Sequence, residues 1–268
     1  MTRFIHLTDL HVSHPDAGDP SDKTNAIETL HRVVGIINAM EPQPDFVVAS
    51  GDLTNLGDAQ SYDLVQEILA PLEAPLVLAL GNHDKRPEFH TALGKPASQT
   101  PYCHDTTFGG LHVITLDTLV AERVAGAICD VQFDFLEKAL ERHADLPKLI
   151  VMHHPPLLNT DDLPWGSLDM DSTNKLKETL QEHNVAGILC GHIHINRVSQ
   201  WHGIPVVVSN GLDSTIDLLD TQNLRQVEGT GFAICDWRPS GLSVSFVPLS
   251  PAPREIAVID RATLLSFT

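Results

Sequence analysis

The sequence predicts an α/β protein. Short β-branched or aliphatic runs alternate with longer amphipathic segments, strands take over after Gly203, and the composition is that of a packed chain. With 268 residues, 42% hydrophobic and 19% charged, there is enough apolar material for one large domain or two small ones. Strands are predicted at Phe4 to Thr8, Phe46 to Ser50, Leu76 to Leu80, Leu111 to Leu116, Leu149 to Met152, Ala186 to Cys190, Pro205 to Ser209, Gly231 to Asp236 and Leu242 to Val247. Between them, Lys23 to Met40 spaces Ile27, Leu30, Val33, Val34 and Ile37 by threes and fours, the stripe of a helix lying on a sheet. Ser21-Asp22 marks its start and Glu41-Pro42-Gln43-Pro44 its end. Asp58 to Leu69, Val131 to His143 and Ser172 to His183 repeat the scheme. The strand-rich region after Gly203 reads as a second sheet or the closing half of a sandwich.

Composition removes several classes of function. Lys and Arg number 17 against 35 Asp and Glu, a formal charge of −18, so the chain has no basic stripe to neutralise a polyanion. Long nucleic acid is not an expected partner. Uncharged apolar runs such as Ala74 to Leu80 fall well short of the ~20 residues that span a bilayer. The N-terminus, Met1-Thr2-Arg3-Phe4-Ile5-His6-Leu7-Thr8-Asp9, lacks the apolar core of a secretory signal, and a cytoplasmic protein without membrane contact is expected. Cys103, Cys129, Cys190 and Cys235 form no Cys-x-x-Cys pair and read as reduced, mostly buried thiols. Histidine is the unusual count: 15, almost as many as Lys and Arg together.

The chemistry is carried by the residues at the strand ends. Phe4 to Thr8 runs into Asp9-Leu10-His11, Phe46 to Ser50 into Gly51-Asp52, and Leu76 to Leu80 into Gly81-Asn82-His83-Asp84. Leu149 to Met152 runs into His153-His154, and Ala186 to Cys190 into Gly191-His192-Ile193-His194. Ligands in open α/β sheets bind beyond the carboxyl ends of strands, so these residues are expected to share one crevice. Asp9 and His11, one residue apart in an extended turn, can hold one ion together. Asp52 has two oxygens and can bridge two ions, Asn82 offers a neutral carbonyl oxygen, and His153, His192 and His194 supply imidazoles. Oxygen and nitrogen donors without thiolates suit Mn, Fe, Zn or Co. Two such ions, each with four protein atoms when Asp52 is shared, leave room for a bridging water and form a clamp for displacement at phosphorus.

Each piece alone has an ordinary reading. Asp-x-His is a turn or a helix cap, Gly51-Asp52 a turn, and Gly-Asn-His-Asp often a loop. Their joint occurrence in this order, each at a strand end, is what argues for a centre.

On those five blocks, spanning residues 9 to 194, the sequence resembles the calcineurin-like metallophosphoesterase superfamily. The resemblance implies a four-layer αββα sandwich of two mixed β-sheets flanked by helices, with two divalent metal ions at the strand ends. One ion would take Asp9, His11, Asp52 and His194, and the other Asp52, Asn82, His153 and His192. It implies catalysis by a hydroxide bridging the ions, with Asp52 central and His83 over the substrate, steadying the phosphate together with Asn82 and protonating the leaving oxygen. Ser/Thr protein phosphatases carry an arginine soon after the second-block aspartate and a glutamate closing the third block. Here Gly51 to Gly57 has no arginine and the third block closes with Asp84. The sequence is more similar to the bacterial class III cyclic nucleotide phosphodiesterase and glycerophosphodiesterase branch, which implies a small phosphodiester substrate: a cyclic nucleotide, a glycerophosphodiester or a related ester. A phosphomonoesterase, pyrophosphohydrolase or nuclease on the same site is the alternative, and a non-catalytic metal-binding protein a further one.

Around the blocks, Asp84 and Asp117 are candidates to support ligands, and His154 points away from His153 if the segment is extended. Arg86 either meets a phosphate or solvates a helix start. Trp165, in the loop Leu157 to Ser172, either stacks on a base or anchors the loop. The loop's Asp161, Asp162, Asp169 and Asp171 would repel highly charged substrates and favour a monoanionic diester. A single domain over 1–250 is expected, with 251–268 as a C-terminal extension that wraps the surface or contacts a neighbouring subunit of a dimer or larger homo-oligomer.

Overall fold

Residues 1–20, 23–249 and 255–266 are described by a computed structural model. The strands are β1 (Thr2–Leu7), β2 (Phe46–Ala49), β3 (Leu76–Leu78), β4 (His104–Phe108), β5 (Leu111–Thr115), β6 (Lys148–Val151), β7 (Val185–Cys190), β8 (Arg197–Trp201), β9 (Ile204–Val208), β10 (Thr215–Ile216), β11 (Asn223–Val227), β12 (Gly231–Arg238), β13 (Gly241–Pro248) and β14 (Glu255–Asp260). The helices are α1 (Ala26–Asn38), α2 (Ala59–Leu69), α3 (Arg86–Ala92), α4 (Asp130–Glu141), α5 (Met170–Leu180) and α6 (Arg261–Leu265).

Two mixed sheets stack face to face. The first runs β13-β12-β1-β2-β3, with β1, β2 and β3 parallel. The second runs β4-β5-β6-β7-β9-β8, with β5, β6, β7 and β9 parallel and an antiparallel strand at each edge. β2 shows why its sequence is apolar without alternation. Phe46 and Val48 face the other sheet, where they meet Val113, Leu149 and Leu189, while Val47 and Ala49 face the helices. Phe46 stacks on Phe4 at 4.8 Å and on Phe108 at 4.5 Å. Outside the first sheet, α1 buries Leu30, Val33, Val34 and Ile37, and α2 buries Val65 and Ile68. Outside the second, α4 and α5 bury Phe133, Leu136, Leu140, Leu176 and Leu180. The fold is the expected four-layer αββα sandwich.

The structure adds elements that hydropathy did not mark. β4 and β8 are edge strands with polar sequences, His-Asp-Thr-Thr-Phe and Arg-Val-Ser-Gln-Trp, whose outer faces carry no apolar pattern. α3 is a single short helix with Pro87 in its first turn. Helices do not stop after Gly203, because α6 comes after β14. A third sheet, β10-β11-β14, brings the chain after residue 254 back onto β11. The start marker Ser21-Asp22 and residues 250–254 and 267–268 of the C-terminal segment lie outside the described residues; α1 begins at Ala26. No helix among the described residues is long and apolar enough to cross a membrane. The four cysteines are unpaired, with Cys190 and Cys235 buried, Cys103 half-buried and Cys129 exposed.

Candidate metal centre

The site lies where β1, β2 and β3 of one sheet and β6 and β7 of the other end against each other. At these ends the backbone takes a conformation that non-glycine residues avoid. Asp9 (φ 51°), His11 (44°), Asp52 (49°), His192 (73°) and His194 (49°) are all left-handed. Only Glu122, His143 and His202 share that property among the other described non-glycine residues. Each such residue costs of the order of 1–3 kcal/mol and persists where its surroundings hold it. Asp9 and His11 therefore do not sit in an extended turn, as their spacing suggested. Two loops hold one another instead: the Asp9 N–H donates to the Gly51 carbonyl and the His11 N–H to the Asp52 carbonyl, both at 3.0 Å. The His83 N–H donates to Asp52 Oδ1 at 2.8 Å, and the His192 N–H to the Asp9 carboxylate at 3.1 Å.

Glycine is required where these loops touch. A Cβ on Gly81 would lie 2.2 Å from Asp52 Oδ1, and one on Gly191 1.8 Å from Thr8 Oγ1 and 2.4 Å from Asp9 Oδ2.

Hydrogen bonds on the far side of each ring decide where the histidine lone pairs point. His11 Nδ1 meets Asn55 Oδ1 at 3.0 Å, and Asn55 gives its amide N–H to Asp19, so His11 must be the donor. His153 Nδ1 donates to the Ser50 carbonyl at 3.1 Å, and His194 Nδ1 to the Ser214 carbonyl at 3.2 Å. The three Nε2 atoms then converge on carboxylate oxygens. His194 Nε2 is 3.2 Å and His153 Nε2 3.8 Å from Asp9 Oδ1. Asp52 Oδ2 lies between His153 Nε2 at 3.1 Å and His11 Nε2 at 3.6 Å, the placement of a bridging group. Asn82 Oδ1 is buried with no hydrogen-bond partner, an orphan that a cation would satisfy. His192 gives Nε2–H to the Trp165 carbonyl at 2.6 Å, leaving Nδ1 as its ligand-competent nitrogen. Asp9, His11 and His194 form one group able to hold an ion, and Asp9, Asp52 and His153 another. His153, His154 and His192 form a third, and His11, Asp52 and His83 a fourth.

Electrostatics agree with cation binding. Burial alone would raise Asp9 and Asp52, but His194 and His153 outweigh it for Asp9, and His153 and His83 for Asp52, so both carboxyls stay well below the usual range. Burial would lower His153 and His194; Asp52 beside the first and Asp9 beside the second instead raise each to about 9. Burial, reinforced by His153, takes His192 down to about 3.

The other predicted residues divide between the pocket and its supports. His83 is exposed, lines the pocket beside Asp52 and Asn82, and donates Nδ1–H to the Asn55 carbonyl at 2.9 Å. Trp165 lines the same pocket. Arg86 is directed elsewhere than at a phosphate: its guanidinium grips Asp117 at 2.7 and 2.9 Å and the Leu119 carbonyl at 2.5 Å, because the buried Asp117 needs a counter-charge. Asp84 accepts from the N–H groups of Leu53, Thr54 and Gly81 and from the Tyr62 hydroxyl, tying the Asp52 loop to the Asn82 loop. Burial and the Asp52 charge raise it to about 7. His154 accepts from Thr118 Oγ1 at 2.7 Å and donates to the Val124 carbonyl at 2.9 Å; burial holds it neutral. Of the acidic loop residues, Asp169 caps α5 through the Ser172 N–H, whereas Asp161 and Asp162 line a cleft bounded by Trp165 and Ile193, which also line the site pocket.

Sequence reasoning missed Asn55, which holds His11 and His83, and the wall made by Val124, Ile216, Leu224 and Gln226. Asn55 stands three residues after Asp52 in a recognised block and could have been found there; the wall residues belong to no motif.

A cluster of Asp, Asn and His donors at the junction of two mixed sheets is the arrangement expected for the centre of a metallophosphoesterase. The chain belongs to the calcineurin-like phosphoesterase family, whose family model matches residues 2–196. This bears out the expected hydrolase of phosphoester bonds. The chain is 32% identical over 220 residues to a "probable cyclic nucleotide phosphodiesterase" of Rhodococcus erythropolis, covering 80% of this chain and 72% of that one. It is 30% identical over 225 residues to a "cAMP/cGMP dual specificity phosphodiesterase" of Mycobacterium tuberculosis, covering 80% and 69%. Among solved structures, a purple acid phosphatase from yellow lupin seeds shares the fold with a TM-score of 0.67 at 16% identity, over 97% of this chain and 52% of that one.

Proposed function

We propose that the protein hydrolyses small phosphodiesters, with cyclic nucleotides and glycerophosphodiesters as the substrate class, using two divalent ions. The observation that carries this reading is the convergence of the His11, His153 and His194 Nε2 atoms on Asp9 and Asp52, beside the orphaned Asn82 oxygen, in a pocket open to solvent. Asp9, His11, Asp52 and His194 would hold one ion, and Asp52, Asn82, His153 and His192 the other. When bound, such ions lower the pKa of a water and neutralise charge developing at phosphorus. The chain's own residues supply the rest. Asp52 orients the His83 backbone, and the Asn55 carbonyl fixes the His83 ring through Nδ1, so Nε2 is the nitrogen that would pass a proton to the leaving oxygen. Asp161 and Asp162 beside the pocket disfavour polyanions, which supports a diester with one charge.

The test is turnover of bis(4-nitrophenyl) phosphate, 4-nitrophenyl phosphate, cyclic AMP and ATP by chelated protein reloaded with Mn, Fe, Zn or Co. Faster cleavage of the diesters is expected. Faster cleavage of the monoester or ATP would replace the reading with a phosphomonoesterase or pyrophosphohydrolase, and undiminished activity after chelation would remove the metal from it.

A further inference from the structure

The third sheet reaches the site in two ways. Ile216 on β10 and Leu224 and Gln226 on β11 line the pocket that also contains Asn82 and His83. Ser214, just before β10, touches the ring of His194. Between these lies a hydrogen-bond chain whose proton directions are determined. Ser214 has one hydroxyl proton and gives it to Asp213 Oδ2 at 2.9 Å, a carboxylate oxygen that accepts. Ser214 Oγ is then left as an acceptor, for the His194 Nδ1–H at 3.1 Å, which it shares with the Ser214 carbonyl at 3.2 Å, and for Gln226 Nε2–H at 2.5 Å. The orientation of the Gln226 amide, which is otherwise ambiguous, is thereby assigned. Its nitrogen is held by Ser214, and Oε1 of this pocket-lining side chain is left without a hydrogen-bond partner among the described residues.

The wall so formed has two aliphatic side chains, Ile216 and Leu224, flanking one directed acceptor. Trp165 lines the same pocket, and its ring centre lies 5.6 Å from that of His192. A planar heterocycle finds apolar contact for its faces there and one acceptor at its edge. An exocyclic amine meets Oε1 as a donor. A carbonyl in the same place sets two acceptors against each other and leaves both unpaired.

Resting on the phosphodiesterase reading above, we propose that Gln226 is a specificity-determining residue: the pocket takes nucleoside-containing phosphodiesters whose base carries an amine at pyrimidine position 4 or purine position 6, as cytosine and adenine do, in preference to uracil and guanine, which carry a carbonyl there.

Cyclic CMP and cyclic UMP provide the test, since they differ at the 4-amine or 4-carbonyl and the adjoining ring nitrogen. The metal-loaded protein should favour cyclic CMP in kcat/KM by about fivefold to tenfold, the worth of one net hydrogen bond. Gln226→Met should bring the ratio close to one. Bis(4-nitrophenyl) phosphate serves as a base-free reference, with metal content measured alongside. If Gln226→Met loses metal, or falls equally on all three substrates, Gln226 merely supports Ser214 and His194 and the proposal is overturned. The comparison on the unaltered protein needs no variant. A ratio near one while the aryl diester is cleaved overturns the role of Gln226 and leaves the phosphodiesterase reading intact, whereas no cleavage of any diester overturns both.

Discussion

His11 Nε2 and His194 Nε2 face each other at 3.2 Å while each ring spends its Nδ1–H on a different acceptor, Asn55 for the first and Ser214 for the second. Two neutral imidazoles so arranged aim lone pairs at one another. A cation between them, or a proton on one, removes the conflict. Saturating Mn or Zn should therefore stabilise the protein, by about 3 kcal/mol at a hundredfold excess over Kd. For a chain of this size that is roughly 5–10 °C in Tm, reversed by chelation. Differential scanning fluorimetry with and without metal checks it; an unchanged Tm would show that the rings are not held for an ion.

The proton alternative has its own signature. His153 and His194 are raised to about 9, so both are charged in the metal-free protein at neutral pH, while Asp9 and Asp52 are ionised already. Ligation needs neutral imidazole, and metal binding at pH 7.5 should release about two protons. Calorimetry in buffers of different ionisation enthalpy counts them. Because the folded pKa values lie above the unfolded value, the stabilisation these two histidines give the metal-free protein is complete below about 6.5. It is lost as pH rises through about 9. Metal affinity should climb over the same range and level off above it.

His83 is the exposed group beside buried ligands, held through Nδ1 by the Asn55 carbonyl. His83→Ala should lower kcat by about 10²-fold or more, the usual worth of a positioned acid, with metal content retained. Elemental analysis of the variant decides between this role and a ligand role; loss of an ion would reassign His83.

Asp84 gathers three backbone N–H groups and the Tyr62 hydroxyl, and that hydroxyl in turn accepts the Lys85 N–H at 2.8 Å. Asp84→Ala should cost about 3–5 kcal/mol in denaturant unfolding and weaken metal binding, because the loops of Asp52 and Asn82 lose their tie. Tyr62→Phe should cost about 1 kcal/mol. Equal metal affinity in Asp84→Ala would separate the tie from the centre.

Arg86→Ala leaves Asp117 buried without its counter-charge and should destabilise by about 3 kcal/mol. KM for a diester should change by less than about threefold, since the guanidinium is committed to Asp117 and the Leu119 carbonyl. A tenfold rise in KM at unchanged stability would return Arg86 to the phosphate.

The blocks at the strand ends were legible because each couples a local apolar run to a polar turn within a few residues, as in Phe46 to Asp52. The stripe on α1 was legible for the same reason: Leu30, Val33, Val34 and Ile37 share one face by local periodicity, and all are buried. β4, β8 and β11 were not, since an edge strand or a small three-stranded sheet has one face in solvent and no apolar run to mark it. Arg86 shows a different limit. Its sequence neighbours place it beside His83, yet its partner is 31 residues away.

The sequence by itself determined the α/β class, the ligand-competent residues and their order, all properties carried by short stretches of chain. Tertiary structure alone decided the left-handed backbone at Asp9, His11, Asp52, His192 and His194, and the far-side acceptors that aim each imidazole. It also decided the pocket wall at Ile216, Leu224 and Gln226. These depend on groups such as Ser50 and His153, 103 residues apart, which meet only when two sheets stack and bring their strand ends together.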